Sequence, residues 1–192
     1  MGRHTTIAIR VALVTMIIFG LIYPLTMTGI SQVLFPHQAN GSLIREHGKV
    51  IGSELIGQEF TGPGYFHPRP SAAGKGYDAA ASGGSNLGPT SKVLADSVKD
   101  RIKTAMQENP GLAKGSIPAD MVTTSASGLD PDISVANAYA QVSRVAKARG
   151  VSDSSIKELV DSSITGRTLG FLGEPRVNVL MINRTLDAGI QK

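Results

Sequence analysis

The sequence contains no cysteine and no tryptophan, and aromatic residues make up only 5% of it. Without cysteine there are no disulfides, no thiolate metal ligands and no cysteine nucleophile. With so few rings, the core has to be built mainly from Val, Ile, Leu, Met and Ala. Charge of one sign is also scarce. Nineteen Lys and Arg face fifteen Asp and Glu, for a net charge of +4. Arg3 and Arg10 come before the first apolar run, and the later basic residues are scattered. That balance excludes the clustered basic face of a nucleic-acid-binding protein. The four histidines, His4, His37, His47 and His67, are dispersed and form neither HExxH nor another compact ligand set, so the sequence offers no metal site.

What is present is one long apolar run in 192 residues, a length suited to one domain plus an anchor. No charged side chain occurs from Val11 to Phe35. As a helix this segment would reach about 37 Å, enough to cross a hydrocarbon core of about 30 Å with some tilt. A cleaved signal peptide is the competing reading, with Met1 to Arg10 as its basic leader. The run continues through Leu25, Met27, Ile30 and Leu34 without a small-x-small cleavage pattern, which favours an uncleaved anchor. Met1-Gly2-Arg3-His4-Thr5-Thr6 fits a myristoylation pattern, but a spanning helix makes that match redundant. Arg3 and Arg10 keep the N-terminus cytoplasmic and send the remainder outside. Pro24 predicts a kink, and Gly20, Pro24 and Gly29 are candidate packing positions against other membrane helices. The alternative is a lone lipid-facing helix that tolerates small residues.

The expected segmentation is a cytoplasmic N-terminus over 1–10, a transmembrane helix over 11–35, a linker over 36–48 and an extracytoplasmic domain over 49–192. The domain is expected to be compact and α/β, with α+β as the alternative. Lys49 to Ile56 reads as a strand or strand pair interrupted at Gly52. Residues 60–89 are dense in Gly, Pro, Ser and Ala, and a stretch this irregular points to a functional loop or packing surface. A helix is predicted from Thr90 or Ser91 to just before Pro110. A second comes after Asp130-Pro131-Asp132, carries Val135, Ala138, Tyr139, Val142, Val145 and Ala146 as its stripe, and ends at Gly150. Arg144, Lys147 and Arg149 are read as solvated helix-end charges. Asp153 is read as the cap of a third helix through Ile164, while Val177 to Ile182 fits either a final helix or a core strand.

Several motifs invite chemistry and are better explained by structure. Gly83 to Thr90 has the outer glycine spacing of a phosphate loop, but Pro89 stands where the phosphate-binding Lys belongs. Ser154-Ser155-Ile156-Lys157 makes an SxxK without companion motifs, at a helix start where capping suffices. Asp120, Asp130 and Asp132 suit turn formation and helix-end electrostatics. Tyr65, Phe66 and Arg69 are the candidate partner-contact residues, two aromatics and a guanidinium in a Pro/Gly loop, with satellite-core packing as the alternative.

The stretch Tyr65-Phe66-His67-Pro68-Arg69-Pro70-Ser71-Ala72-Ala73-Gly74 closely resembles the KdpC family, the C subunits of the bacterial potassium-transporting Kdp ATPase. So do Gly83 to Thr90, Thr123 to Pro131 and Gly170 to Leu180, and with the anchor the resemblance spans nearly the whole chain. It implies a non-catalytic accessory subunit of an ATP-driven potassium import complex in the bacterial cell membrane. The implied partners are the channel-like KdpA, the P-type ATPase KdpB and the small membrane subunit KdpF, together with the lipid bilayer. The complex is expected to use ATP, magnesium and potassium, with no cofactor bound directly by this chain. In the family, KdpC is implicated in assembly and in raising the ATP affinity of KdpB. An external domain cannot touch cytoplasmic ATP across an intact membrane, so any such effect is expected to pass through the assembly. Two other classes remain open on the residues alone: a tethered extracellular serine hydrolase, and a membrane adaptor unrelated to transport.

Overall fold

The computed structural model describes residues 2–189, and the chain divides into two compact units, Met1–Ile51 and Gly52–Lys192. Met1 and residues 190–192, the outer ends of the expected segmentation, lie outside the described residues.

The first unit is dominated by a helical rod, Gly2–Leu34, in which no residue is buried by the chain itself. It comprises α1 (Gly2–Ile17), a wider π-type turn (Ile18–Ile22) and α2 (Tyr23–Leu34). Its 33 residues correspond to about 50 Å of helix, longer than the hydrocarbon core. The helix therefore includes the basic flank bearing Arg3 and Arg10, which the sequence alone left unassigned. With one apolar span among the described residues and a positively charged inner flank, the N-terminus is cytoplasmic and the second unit extracytoplasmic.

The disturbance at Pro24 takes the form of the π-type turn. The Tyr23 N–H donates to the Ile18 carbonyl, five residues back. Proline has no N–H for the Gly20 carbonyl, and its ring crowds that same group, so the turn before it widens. The rod ends at Phe35, which leaves helical geometry directly before Pro36, as residues preceding proline tend to do. A short helix α3 (Pro36–Ala39) leads into a hairpin of β1 (Leu43–Glu46) and β2 (Lys49–Ser53). The hairpin turn is His47-Gly48, both at positive φ (48° and 80°), the two-residue turn whose twist matches paired strands. The partner of β2 thus lies upstream at 43–46, within the stretch read as linker, and not in residues 54–56.

The second unit is a mixed α/β domain. Its sheet has the order β3-β5-β4, from β3 (Asp132–Ser134), β5 (Arg176–Asn178) and β4 (Ile164–Thr165), with both pairings antiparallel. Antiparallel pairing gives the α+β form of the expectation. Val177 on the central strand faces Ile133 on one side and Ile164 on the other, and is fully buried.

Among the described residues the unit has four longer helices, α4 (Lys92–Glu108), α6 (Val135–Arg149), α7 (Asp153–Ser163) and α8 (Val179–Gly189), with a short α5 (Ala119–Val122) between the first two. Hydroxyl caps set three starts. Ser91 accepts from the Leu94 N–H, Ser134 from Asn137 and Ser152 from Ser155. Ser152, not Asp153, caps α7, and Asp153 instead supplies first-turn negative charge and accepts from the Ser143 hydroxyl. The 177–182 ambiguity resolves into both elements. Asn178 ends β5 and its Oδ1 accepts from the Met181 N–H, opening α8. The core joins Phe66, Val142, Val145, Ile156, Val160, Val177, Ile182 and Leu186, so one aromatic sits among β-branched and aliphatic side chains. Tyr139, expected on the buried stripe of α6, is exposed instead and hydrogen-bonds Asp161.

Candidate functional site

The irregular segment after Gly57 has no sheet partner among the described residues, so its peptide groups need partners from elsewhere in the fold. Side chains provide them over five consecutive carbonyls. Arg144 Nη1 donates to Pro63 O at 2.7 Å and to Tyr65 O at 2.9 Å. Arg149 Nε donates to Gly64 O at 2.7 Å. Asn183 Nδ2 donates to Phe66 O at 2.9 Å while its Oδ1 accepts from the Phe66 N–H at 2.8 Å. Gln141 does the same for His67, Nε2 to O at 3.1 Å and N–H to Oε1 at 2.7 Å. Two amides and two guanidiniums from α6 and α8 therefore hold residues 63–67 as a neighbouring strand would.

This clamp rests on a polar stripe of α6. Asn137, Gln141 and Arg144 are all buried and recur at helical spacing beside the apolar stripe. Gln141 Nε2 also donates to Asn137 Oδ1, and Asn137 Nδ2 donates to Asp120 Oδ2. Asp120 further accepts from the Ser134 N–H and hydroxyl, tying α5 to the start of α6. Arg144 is 7% exposed, and its Nε donates to Asn109 Oδ1 at the end of α4. Burial pulls its guanidinium down to about 10, partly opposed by the nearby Glu108 carboxylate. Its direct partners are carbonyl and amide oxygens, which makes it a structural cation.

His67 faces a cavity of about 220 Å³ with Arg101, Thr104 and Glu108 among its walls. Its Nε2 lies 3.0 Å from Gly62 O, and its Nδ1 lies 3.4 Å from Glu108 Oε2. Burial and the positive charge of Arg144 lower its pKa, against the raising effects of Gly62 and Glu108. The Nε2–H neutral tautomer satisfies the bond to Gly62.

A second set of contacts joins the rest of the irregular segment to residues 123–131. Arg69 Nη1 pairs with Asp130 Oδ2 at 2.9 Å and its Nη2 donates to Thr124 O. The Ser71 hydroxyl donates to Gly128 O, and the Gly83 N–H donates to Ser127 O. Gly128, at φ +67°, passes so close that a Cβ there would lie 2.6 Å from Ala73 N and Gly83 O. From the other side the Val179 N–H donates to Pro131 O, and Arg176 pairs with Asp132. The four segments that carry the family resemblance, 65–74, 83–90, 123–131 and 170–180, thus meet around 123–131.

The candidate residues separate by exposure. Phe66 is fully buried, so its ring belongs to the core and is not available to a partner in this conformation. Tyr65 is half-buried; its hydroxyl donates to Asp187 Oδ2 and its ring lies under the Arg149 guanidinium at 4.7 Å. Arg69 is half-buried and engaged as above. In the membrane rod, a Cβ on Gly29 would meet nothing within 4 Å and one on Gly20 only Met16 Cγ at 4.0 Å, leaving both positions open to a neighbour. Arg144 and Arg149, read from the sequence as solvated helix-end charges, instead hold loop carbonyls. The signal for Arg144 lay in the spacing of 137, 141 and 144.

The chemistry-like motifs are absorbed by these contacts. The Ser154 hydroxyl pairs with that of Ser152 at 2.8 Å at the start of α7. The Gly83 to Thr90 segment packs on 126–127 and turns into α4. Among the described residues no three His, Asp or Glu side chains converge as a metal site.

Comparison with known proteins takes in the same residues. The family model described as KdpC, K+-transporting ATPase, c chain, matches residues 5–188. The potassium-transporting ATPase KdpC subunit of Caulobacter vibrioides is 57% identical over 185 residues, covering 94% of this chain and 92% of the relative. That of Myxococcus xanthus is 56% identical over 181 residues, covering 94% and 85%, and that of Bradyrhizobium diazoefficiens 54% over 204, covering both chains fully. A match of this extent, over the anchor and the clamped domain together, places the chain in the KdpC family.

Proposed function

We propose that this chain is a non-catalytic accessory subunit of a high-affinity, ATP-driven potassium import complex of the bacterial cell membrane, and that it stabilises assembly of that complex. The observation that carries the reading is the family match over residues 5–188, which takes in the spanning helix and the external domain alike. Its partners in this reading are the channel-like KdpA subunit, the KdpB ATPase and the small KdpF subunit. Gly20, Pro24 and Gly29 pack against transporter helices, and Tyr65 and Arg69 contribute to an external contact, with Phe66 supporting them from the core.

The domain is extracytoplasmic and nucleotide is cytoplasmic, so any promotion of ATP binding by KdpB passes through the membrane assembly. Such coupling needs contacts that differ between at least two transport states. A domain whose longest irregular segment is clamped by buried side chains suits this role, because a rigid body transmits displacement better than a loose one. The test is co-purification in mild detergent. The ATPase and channel subunits should be captured with this chain, and potassium-stimulated ATP hydrolysis should fall when it is deleted. Unchanged turnover and yield without it would reject the reading.

A further inference from the structure

The β4–β5 connection ends in an apolar tip. Leu169, Phe171 and Leu172 are 79%, 68% and 49% exposed, and nowhere else in residues 52–189 do three large apolar side chains this exposed fall within four positions. Scattered exposed apolar residues are ordinary on a soluble surface, but a contiguous group marks a contact. The tip is also preformed. Thr168 and Leu172 exchange both backbone hydrogen bonds at 2.9 Å, and Arg167 pairs with Glu174 at 2.7 Å across the neck. Leu169 sits at φ +53°, a conformation that a leucine occupies only at some cost.

We infer that this tip is a docking knob that inserts into an apolar recess on the extracytoplasmic face of another subunit of the same membrane complex. The inference rests on the accessory-subunit reading above. Three observations select this occupant. A rigid hairpin whose shape is held against local strain fits a shaped recess, and preorganisation lowers the ordering cost of binding, whereas a lipid surface requires only apolar area. The basic side chains at its neck are already paired, Arg167 with Glu174 and Arg176 with Asp132, so the tip offers no spare cation to anionic headgroups. A symmetric contact with a second copy would need about 800 Å² from each side, which three side chains do not supply. A subunit held beside this chain by its membrane helix meets the knob at high effective concentration, so a small anchor suffices.

The absence of cysteine from the natural sequence makes the test direct. Phe171→Cys, at a largely exposed position, introduces a single thiol, and Val93→Cys, 64% exposed on α4, serves as the reference. Each full-length variant is produced with and without the other subunits and treated with a membrane-impermeant maleimide. The expected result is that residue 171 labels about tenfold more slowly in the assembled complex than in the chain alone, while residue 93 is unchanged. Equal labelling of residue 171 in a complex that still co-purifies overturns the knob and leaves the accessory role intact. Loss of co-purification for the unmodified chain overturns the accessory role itself. Protection of residue 171 in membranes without the other subunits, lost in detergent, assigns the tip to lipid and overturns the inference. A disulfide-linked homodimer overturns it in favour of a second copy.

Discussion

Gln141 on α6 and His67 in the irregular segment form a closed pair in which the glutamine amide accepts from the His67 N–H at 2.7 Å and donates to the His67 carbonyl at 3.1 Å. One side chain thus satisfies a complete peptide unit in a segment with no strand beside it. Asn183 repeats the arrangement one residue earlier at Phe66, from a different helix. The path of residues 66–67 is therefore set by two amides approaching from α6 and α8, and that of 63–65 by the guanidiniums of Arg144 and Arg149.

Removing the amide should leave both His67 groups unpaired. Gln141→Leu keeps the volume approximately but offers no hydrogen bond, and each buried unsatisfied group costs about 1–3 kcal/mol. The expected destabilisation is about 2–4 kcal/mol, read as a lowered urea midpoint of the full-length chain in detergent. A midpoint unchanged within error would show that the clamp contributes nothing.

Arginine is required at 144 for its geometry as well as its charge. Its fork reaches Asn109, Gln141 and two carbonyls in different directions, and a lysine ammonium cannot reproduce that spread. Arg144→Lys should cost about 2–4 kcal/mol, whereas Arg149→Lys, nearer the surface, should cost about 1 kcal/mol. Equal effects at the two sites in parallel denaturation curves would contradict this ranking.

At Gly128 the close approach to Ala73 and Gly83 leaves no room for a methyl group, and the positive φ adds strain. Gly128→Ala should destabilise by more than about 2 kcal/mol. Gly166→Ala, where a Cβ meets nothing within 4 Å and φ is not positive, should change stability by less than about 1 kcal/mol. Thermal unfolding of the two variants separates steric crowding from a general intolerance of alanine.

His67 should give the domain a pH dependence. Its folded pKa lies below the ordinary 6.5, chiefly through burial and then through Arg144. The unfolded chain therefore binds the proton first, so the contribution to stability is complete above pH 6.5 and is lost as pH falls through the folded value. The hydrogen bond to Gly62 and the Glu108 carboxylate oppose the shift without reversing it. His67→Gln should flatten the urea midpoint as a function of pH just below 6.5, and retention of the full slope would assign it to other groups.

The membrane packing positions can be tested without damaging the chain, because Gly29→Leu introduces a side chain where the rod itself has open space. Stability of the isolated chain should stay within about 0.5 kcal/mol. Recovery of the ATPase subunits by co-purification should fall if a neighbouring helix occupies that space, and full recovery would remove Gly29 from the interface.

Local chemistry is what made much of the fold legible. The helix over Lys92–Glu108 is dictated by a serine cap and a Pro-Gly stop, and α6 by its apolar spacing and Gly150, because caps and periodicity act within a few residues. The same local view misplaced the cap of α7, since Ser152 and Asp153 are both competent acceptors and only the path of the chain chooses between them. It looked for the partner of the strand at 49–53 downstream of Gly52 and missed the one upstream, because a short strand beginning at Leu43 has too few residues to show an alternation. The split of 177–182 between β5 and α8 turns on Asn178, whose side chain caps a helix only once the strand before it is paired.

The candidate site was legible in part, and the division is physical. The sequence by itself determined the membrane anchor, its orientation, the stops of α4 and α6 and the family to which the chain belongs, because an uninterrupted apolar run, flanking charge and motif spacing are properties of neighbouring residues. Only the tertiary structure decided that Phe66 is a core ring, that Arg144 and Arg149 hold loop carbonyls, and that Gln141 and Asn183 stand in for a missing strand. Those roles depend on which groups burial deprives of water. A buried carbonyl must then take whatever donor the packing of distant helices brings within about 3 Å.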